Sequence, residues 1–138
     1  MKIFWDANAL VDLVDQSRPG HTDALLILKD TRKRAAGNLI SWHTLSILSY
    51  LCSKKFGKGA TDEIIQELLK VFKIPVNGSK KADRALGYNA SDFEDALQIS
   101  AAVAAYADYI VTLDTKGFSK SPIPVVTPAE MLCLLRDK

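Results

Sequence analysis

Several features that would assign this chain to a specialised class of protein are missing from its sequence. No stretch approaches the roughly 18 consecutive apolar residues of a membrane-spanning helix, and the N-terminus lacks the apolar centre of a signal peptide. Neither internal repeats nor low-complexity segments are present. A soluble, cytoplasmic protein without a membrane partner is therefore expected.

Cysteine is scarce, and Cys52 and Cys133 are its two instances. They do not form a Cys-x-x-Cys pair, and no histidine lies at the spacing of a metal ligand. Both fall on apolar, helix-like stretches. The pattern therefore favours buried free thiols over a disulfide or a zinc site.

Charge of neither sign dominates, because the formal net charge of +2 is too small to imply a nucleic-acid partner. Its distribution is more informative, since residues 31–61 contain no acidic side chain. The same stretch contains a set of bases: Arg32, Lys33, Arg34, Lys54, Lys55 and Lys58. Such a cluster is commonly a solvated helix end, but beside an acidic metal cleft it would form a phosphate-binding rim.

The length of 138 residues and the apolar content of 48% suit one ordinary domain, predicted to span residues 1–138. Apolar runs predict strands at residues 2–5, 39–41, 74–76 and 109–113. Periodicity, caps and breaker residues predict helices at residues 9–14, 22–36, 44–55, 61–72, 80–86, 92–105 and from 128 onward. Strands that alternate with helices indicate an α/β fold, in which a short parallel sheet is flanked by helices on both faces.

Acidic residues lie where two of these strands end. Asp6 follows the first strand, and Asp114 closes the strand at residues 109–113. Ligands of an open α/β sheet bind outside the carboxyl ends of its strands, so both positions are candidates for function. Clustered carboxylates repel by roughly 2 kcal/mol per pair at about 8 Å and an effective dielectric near 20. A bound divalent cation would relieve that repulsion.

A third acidic group opens the helix predicted from residue 92. Ser91 and Glu94 have the spacing of a capping box, which predicts Ser91 as the N-cap. Asp92 and Asp95 would then share one face of the first turn and point to the same edge of the sheet. Each acid alone has an ordinary role, in an Asx-turn or against a helix dipole. Only the convergence of three segments indicates a site.

Four segments, in this order along the chain, resemble the successive motifs of the PIN-domain family. They are DANAL at 6–10, SWHTL at 41–45, DFEDALQ at 92–98 and IVTLD at 110–114. Within that family the chain is most similar to the small VapC-type toxin nucleases. The similarity covers nearly the whole chain and extends to residues 117–130. No one motif is decisive, but four in order at suitable spacing make the resemblance specific.

The resemblance implies a PIN-like three-layer α/β/α fold and a Mg²⁺- or Mn²⁺-dependent ribonuclease. By motif position, Asp6, Asp95 and Asp114 correspond to the first, third and fourth acids of the family and are the predicted metal ligands. Asn8 and Thr112 are predicted to support them by hydrogen bonds. The implied partners are an RNA substrate, a protein antitoxin and a second copy of the chain in a homodimer.

One position departs from the family pattern. The second acid is usually a glutamate in the helix after the second strand, and Ile47 occupies the matching place. Asp92, one turn before Asp95, is a candidate to replace the missing charge. The alternative is a catalytically degenerate PIN domain that binds RNA or a protein without cutting. A receiver domain or haloacid-dehalogenase-like phosphatase is disfavoured, since the chain lacks a second phosphoacceptor and has Asp6-Ala7-Asn8 in place of Asp-x-Asp.

Overall fold

A parallel sheet of five strands organises residues 1–137, the part of the chain that the computed structural model describes. The strands are β1 (Lys2–Trp5), β2 (Gly37–Leu39), β3 (Phe72–Lys73), β4 (Tyr109–Val111) and β5 (Val125–Val126). Their order across the sheet is β3-β2-β1-β4-β5. The helices are α1 (Ala7–Val14), α2 (His21–Lys33), α3 (Trp42–Phe56), α4 (Lys58–Val71), α5 (Ser79–Leu86), α6 (Phe93–Ala104) and α7 (Pro128–Arg136). The α/β prediction is confirmed.

The central strand β1 sets the position of the site. Phe4 lies opposite Leu39 on β2 and Ile110 on β4, and Trp5 lies opposite Val111. All strands run in the same direction, so β1 and β4 end side by side at one edge of the sheet. The residues that follow these two strands are therefore neighbours, although more than 100 positions separate them.

Side chains of β1 alternate between two hydrophobic cores. Ile3 and Trp5 face the core formed with α1, α2, α3, α4 and α7, whereas Phe4 faces the core beneath α6. The Trp5 ring meets the Phe72 ring edge-on, with 5.4 Å between centroids. Its Nε1 donates to Asn38 Oδ1 at 3.0 Å, so the buried indole has its hydrogen-bond partner. Burial on both faces fixes β1, and with it the residue that follows.

The shortest strands differ from the sequence prediction. The second strand ends at Leu39, where the predicted strand 39–41 begins, and the third lies at Phe72–Lys73, before the predicted residues 74–76. The fourth strand ends at Val111, two residues before the predicted end at 113. The two residues of β5 were not predicted, because so short a run carries no periodicity to recognise. Pro75 cannot donate to a ladder, which agrees with its place just outside the third strand.

The two cysteines differ in their exposure. Cys52 is buried as expected, but Cys133 on α7 is exposed, so the expectation of two buried thiols is wrong for Cys133. The apolar residues of α7 face the core on one side only, and Cys133 falls on the other side. Among residues 1–137, no helix is both long enough and apolar enough to cross a bilayer.

Candidate active site at the carboxyl edge of the sheet

Asp6 directly follows β1 and is the most constrained acid of the site. Its Oδ1 accepts from the Ala7 backbone N–H at 2.7 Å, which caps α1, and from Gln98 Nε2 at 2.5 Å. Its Oδ2 accepts from Thr112 Oγ1 at 2.7 Å. Only 5% of the residue is exposed, and this burial raises the pKa of the carboxyl despite the three donors. Asp6 is therefore held in one orientation by α1, α6 and the end of β4.

Thr112 connects the two strand ends. Its hydroxyl donates to Asp6 Oδ2, and its Oγ1 accepts from the Asp114 backbone N–H at 3.1 Å. Asn8 Oδ1 accepts from the Leu113 backbone N–H at 3.1 Å, which fixes the segment between Thr112 and Asp114. Both residues thus lie where supporting hydrogen bonds were expected, and Thr112 is fully buried.

Asp114 and Asp95 approach each other across Gly117. Asp114 caps the 3-10 turn Thr115–Phe118, and its Oδ1 accepts from the Gly117 N–H at 3.4 Å. A Cβ added to Gly117 would overlap Asp95 Oδ2 and lie 3.2 Å from Asp114 Oδ2. A residue without a side chain at position 117 therefore leaves room for both carboxylates at the same spot.

Asp95 lies in the first turn of α6, and its side chain is partly buried. Partial burial, together with the negative charges of Asp6, Asp92, Glu94 and Asp114, raises its pKa to about 6. Four carboxylates thus act on Asp95, whereas Arg18 is the one cation among the described residues that line the cleft. This is the electrostatic setting that a bound cation would relieve.

A cleft of about 280 Å³ opens among these acids. Asp6, Glu94, Asp95 and Asp114 line it, together with Asn8, Arg18 and Ile47. The structure therefore brings Asp6, Asp95 and Asp114 to one cleft, as the sequence predicted. It also places Ile47, the residue expected at the position of the family's second acid, in the wall of the same cleft.

Asp92 does not have the predicted arrangement. The N-cap of α6 is Asp92 and not Ser91, because Asp92 Oδ1 accepts from the Glu94 N–H at 2.7 Å. Serine and aspartate cap helices about equally well, so the sequence could not decide between neighbouring candidates. Asp92 is exposed and does not line the cleft, whereas Glu94 does. If another acid replaces the charge missing at Ile47, Glu94 is better placed for it.

Sequence reasoning missed three residues of this site. Gln98 is fully buried and orients Asp6, Gly117 admits two carboxylates, and Arg18 lines the cleft from the loop after α1. Gln98 lies one helical turn after Asp95, on the same face of α6, and that spacing was the one available signal. For Gly117 and Arg18 no local pattern marks the role.

The basic residues between positions 31 and 61 do not form one rim around the cleft. Arg34 Nε pairs with Asp30 Oδ1 at 2.5 Å, and its Nη2 donates to the Leu135 carbonyl at 2.6 Å. Lys55, by contrast, lines a smaller pocket that adjoins the cleft and shares Arg18 with it. Of the six bases, Lys55 is the one that lines a pocket next to the cleft.

The residues present fit a hydrated divalent ion better than an enclosed one. Among residues 1–137, no three acidic, histidine or cysteine side chains are close enough to form a closed metal cage. Mg²⁺ usually binds through one or two carboxylates and keeps several waters. Asp95 and Asp114 meet that requirement, since both face the cleft and their oxygens approach the same point beside Gly117.

Gly117→Ala is expected to weaken Mn²⁺ binding by roughly 10- to 100-fold, the usual cost of displacing groups that orient metal ligands. The added methyl group would overlap Asp95 Oδ2 and push it away from Asp114. Isothermal titration calorimetry measures the effect. Gly59→Ala is the matched control, since a Cβ there meets no atom within 4 Å. Equal affinities in the two variants would contradict the proposed ligand pair.

The raised pKa of Asp95 predicts a pH dependence of stability in the absence of metal. The folded chain holds this proton up to about pH 6, whereas the unfolded chain releases it near the ordinary value of 3.8. The free energy of unfolding should therefore fall as pH rises between about 4 and 6. Asp95→Asn lacks this contribution and should be more stable at pH 7 by roughly 1 kcal/mol, a figure reduced for solvent screening of a partly exposed group. Urea unfolding in EDTA at several pH values tests this, and parallel curves for the two proteins would refute it.

Comparison with known proteins identifies the family of this chain. The family model described as PIN domain matches residues 2–116 of the chain. No curated protein sequence is significantly similar to this chain. Since the family match covers most of the chain, including Asp6, Asp95 and Asp114, this protein belongs to the PIN-domain family.

Solved structures of toxin–antitoxin proteins share the fold. VapBC2 from Rickettsia felis, bound to a DNA fragment from its promoter, is 21% identical over 92% of this chain and 98% of that chain, with a TM-score of 0.68. VapBC-1 from nontypeable Haemophilus influenzae is 13% identical over 94% and 99%, with a TM-score of 0.72. VapC20 from Mycobacterium tuberculosis, described as a sarcin-ricin loop cleaving toxin, is 15% identical over 85% and 93%, with a TM-score of 0.67. At these identities the likeness establishes the fold.

Proposed function

We propose that residues 1–138 form one PIN domain that acts as a metal-dependent endoribonuclease, the toxin of a toxin–antitoxin pair. The observation that carries the proposal is the convergence of Asp6, Asp95 and Asp114 on one cleft at the carboxyl edge of the sheet. Membership of the PIN-domain family and the solved VapC structures support the same activity. The substrate is RNA, and the reaction is hydrolysis of a phosphodiester bond.

The acids of the cleft have different tasks in this proposal. Asp95 and Asp114 hold Mg²⁺ or Mn²⁺, since their carboxylates are the less enclosed ones. A bound ion of this kind supplies Lewis acidity, which acidifies water and offsets the charge that develops on phosphate oxygens. Asp6 takes part with its orientation fixed, because Ala7, Gln98 and Thr112 already donate to its oxygens.

Thr112 and Asn8 hold the acids in place through hydrogen bonds. Thr112 donates to Asp6 and accepts from the Asp114 backbone N–H, so the position of Asp114 depends on that of Asp6. Asn8 Oδ1 accepts from the Leu113 backbone N–H and thereby fixes the segment that leads to Asp114. Such groups act through the carboxylates and do not need to touch RNA.

We also propose a protein antitoxin as a partner, because two of the similar structures are VapBC assemblies. An open apolar groove of about 600 Å³ lies among α1, α2 and α4 and offers a place for an antitoxin segment. Its floor includes Leu13, Leu25, Leu28, Ile64 and Val71. Leu28→Glu should abolish co-purification with an antitoxin encoded next to this chain, and unchanged co-purification would refute this location.

A homodimer is proposed as the state in solution. The face near the end of α3 exposes Tyr50, Leu51 and Phe56, of which Tyr50 is 60% exposed. Exposed apolar side chains in one region commonly mark a protein interface. Sedimentation at micromolar concentration should give the mass of two chains, and a monomer alone would refute the dimer.

A second function is favoured by one observation. Ile47 lines the cleft where the family usually has a glutamate, so the chain has one acid fewer for metal binding. A catalytically degenerate PIN domain would bind RNA or a protein and leave the phosphodiester bonds intact.

Cleavage of a labelled single-stranded RNA separates the two functions. The purified chain should cut it slowly with Mg²⁺ or Mn²⁺ and not at all in EDTA. An Asp95→Asn/Asp114→Asn double variant, prepared in the same way, controls for contaminating ribonucleases. Binding without cutting, with either metal, would establish the degenerate domain. Cleavage that persists in EDTA and in the double variant would refute the proposed centre.

A further inference from the structure

Arg18 is a base in the wall of an otherwise acidic cleft. It lies in the loop between α1 and α2, and among the described residues that line the cleft it is the only cation. It also lines the adjoining pocket of about 170 Å³, which contains Lys55 and Phe56. The two cavities share Val11, Arg18 and Leu51, so Arg18 stands where one opens into the other.

A buried ion pair holds this side chain in place. Arg18 Nε donates to Asp12 Oδ1 at 2.5 Å, and the Asp12 side chain is only 2% exposed. The other Asp12 oxygen lies against Gly20, where an added Cβ would overlap it. His21 Nδ1 lies 3.0 Å from the Asp12 backbone oxygen, which fixes the loop on its far side. Asp12 and Gly20 are therefore built to seat one guanidinium.

The tether uses a single N–H of the guanidinium. Arginine has five N–H donors in a planar fork, and the four on Nη1 and Nη2 form no ion pair with the cleft acids within residues 1–137. The Arg18 side chain is 38% exposed, so these donors remain accessible to a ligand. Lys55 differs, because its Nζ is already bonded to Asp15 and Ser17 at 2.7 and 2.6 Å.

We infer that Arg18 binds a phosphate of the single-stranded RNA next to the one that is cleaved. This inference rests on the proposed function, since it assumes that RNA enters the acidic cleft. Carboxylates alone would repel the backbone, and a guanidinium fork matches two phosphate oxygens at once. Arg18 is the binding residue, and Asp12 and Gly20 are positioning residues.

RNA binding without cleavage tests the inference. The probe is a fluorescein-labelled 2′-O-methyl oligoribonucleotide, which resists ribonucleases that attack through the 2′ oxygen. Its anisotropy is measured across a salt series in EDTA, which removes the ion that the proposed cleavage needs. Arg18→Gln should weaken binding about tenfold, and the slope of log K against log salt should shrink by about 0.7, the value for one phosphate contact in a single strand. Arg18→Lys, which keeps the charge, should retain the slope.

Two further variants make the result unambiguous. Removing Arg18 leaves Asp12 buried without its cation, so Asp12→Asn/Arg18→Gln restores a neutral pair if the single variant folds poorly. Arg136→Gln removes an exposed charge at the end of α7 and should leave affinity and slope unchanged.

The outcomes separate this inference from the proposed function. Loss of affinity and slope in Arg18→Gln, with no metal-dependent cleavage by the wild type, would keep Arg18 as a phosphate site and refute the nuclease. Metal-dependent cleavage, with affinity and slope of Arg18→Gln equal to those of Arg136→Gln, would keep the nuclease and overturn the inference. A wild type that does not bind the probe would also overturn it.

Discussion

Ile47→Glu is expected to raise the rate of metal-dependent RNA cleavage roughly 100-fold, which corresponds to about 2.7 kcal/mol in the activation barrier. The substitution restores an acid at the cleft wall, in the same cavity as Asp95 and Asp114. The Ile47 side chain is only partly buried, so a carboxylate at this position can remain in contact with solvent. Single-turnover cleavage with saturating Mn²⁺ measures the gain.

Ile47→Gln is the control for this experiment, because it adds polarity and length without charge. The gain should be absent from Ile47→Gln. If Glu94 already provides the missing carboxylate, the wild type will be active, Ile47→Glu will add less than about threefold, and Glu94→Gln will be as damaging as Asp95→Asn. A wild type and an Ile47→Glu variant that are both inactive with either metal would favour the binding domain.

Asp95→Asn is expected to lower the cleavage rate by at least about 100-fold, whereas Asp92→Asn should change it by less than about threefold. Asp95 lines the cleft and shares a point beside Gly117 with Asp114. Asp92 is the exposed N-cap of α6, and asparagine caps a helix as well as aspartate does. The two variants remove the same charge from the same helical turn, so a difference between their cleavage rates reflects where the charge lies.

Equal losses in the two variants would contradict the geometry. They would mean that Asp92 supplies the charge missing at Ile47, as the sequence alone allowed. A fall with Asp92→Asn and none with Asp95→Asn would move the centre out of the cleft altogether. Steady-state cleavage at several Mn²⁺ concentrations distinguishes a loss of metal affinity from a loss of rate at saturation.

Asp6 and the pair Asp95–Asp114 differ in how strongly their surroundings constrain them. Both oxygens of Asp6 accept hydrogen bonds from Gln98, Thr112 and the start of α1. An amide at position 6 would place an NH₂ group where one of these oxygens now accepts, so the buried hydrogen-bond network around it would have to rearrange. Substitution of Asp6 therefore mixes a change of fold with a change of metal site, and Asp95 and Asp114 are the cleaner probes.

The sheet edge could be predicted because its signals are local. An apolar run followed by an acid marks Asp6 at the end of β1, and the run at residues 109–113 marks β4, although β4 ends at Val111, three residues before Asp114. Parallel pairing then brings the two together without further information. The short strands β3 and β5 could not be placed well, because two residues carry no alternation and their position depends on partners distant in sequence.

The details of the site depended on long-range contacts that no local pattern reports. Gln98 reaches Asp6 across 92 positions of sequence, and Thr112 reaches it across 106. The role of Gly117 depends on where Asp95 and Asp114 point, and that of Arg18 on the burial of Asp12. The prediction that Ser91 caps α6 is wrong because Asp92, the next residue, is an equally good N-cap.

Binding of Mn²⁺, measured by isothermal titration calorimetry at pH 7, tests the central claim most directly, since it does not depend on identifying the RNA. The wild type should bind the ion, and Asp92→Asn should bind it with nearly the same affinity. The Asp95→Asn/Asp114→Asn double variant, folded by circular dichroism, should show no measurable binding. Binding by the double variant as tight as that of the wild type would contradict the assignment of the metal-dependent centre to this cleft.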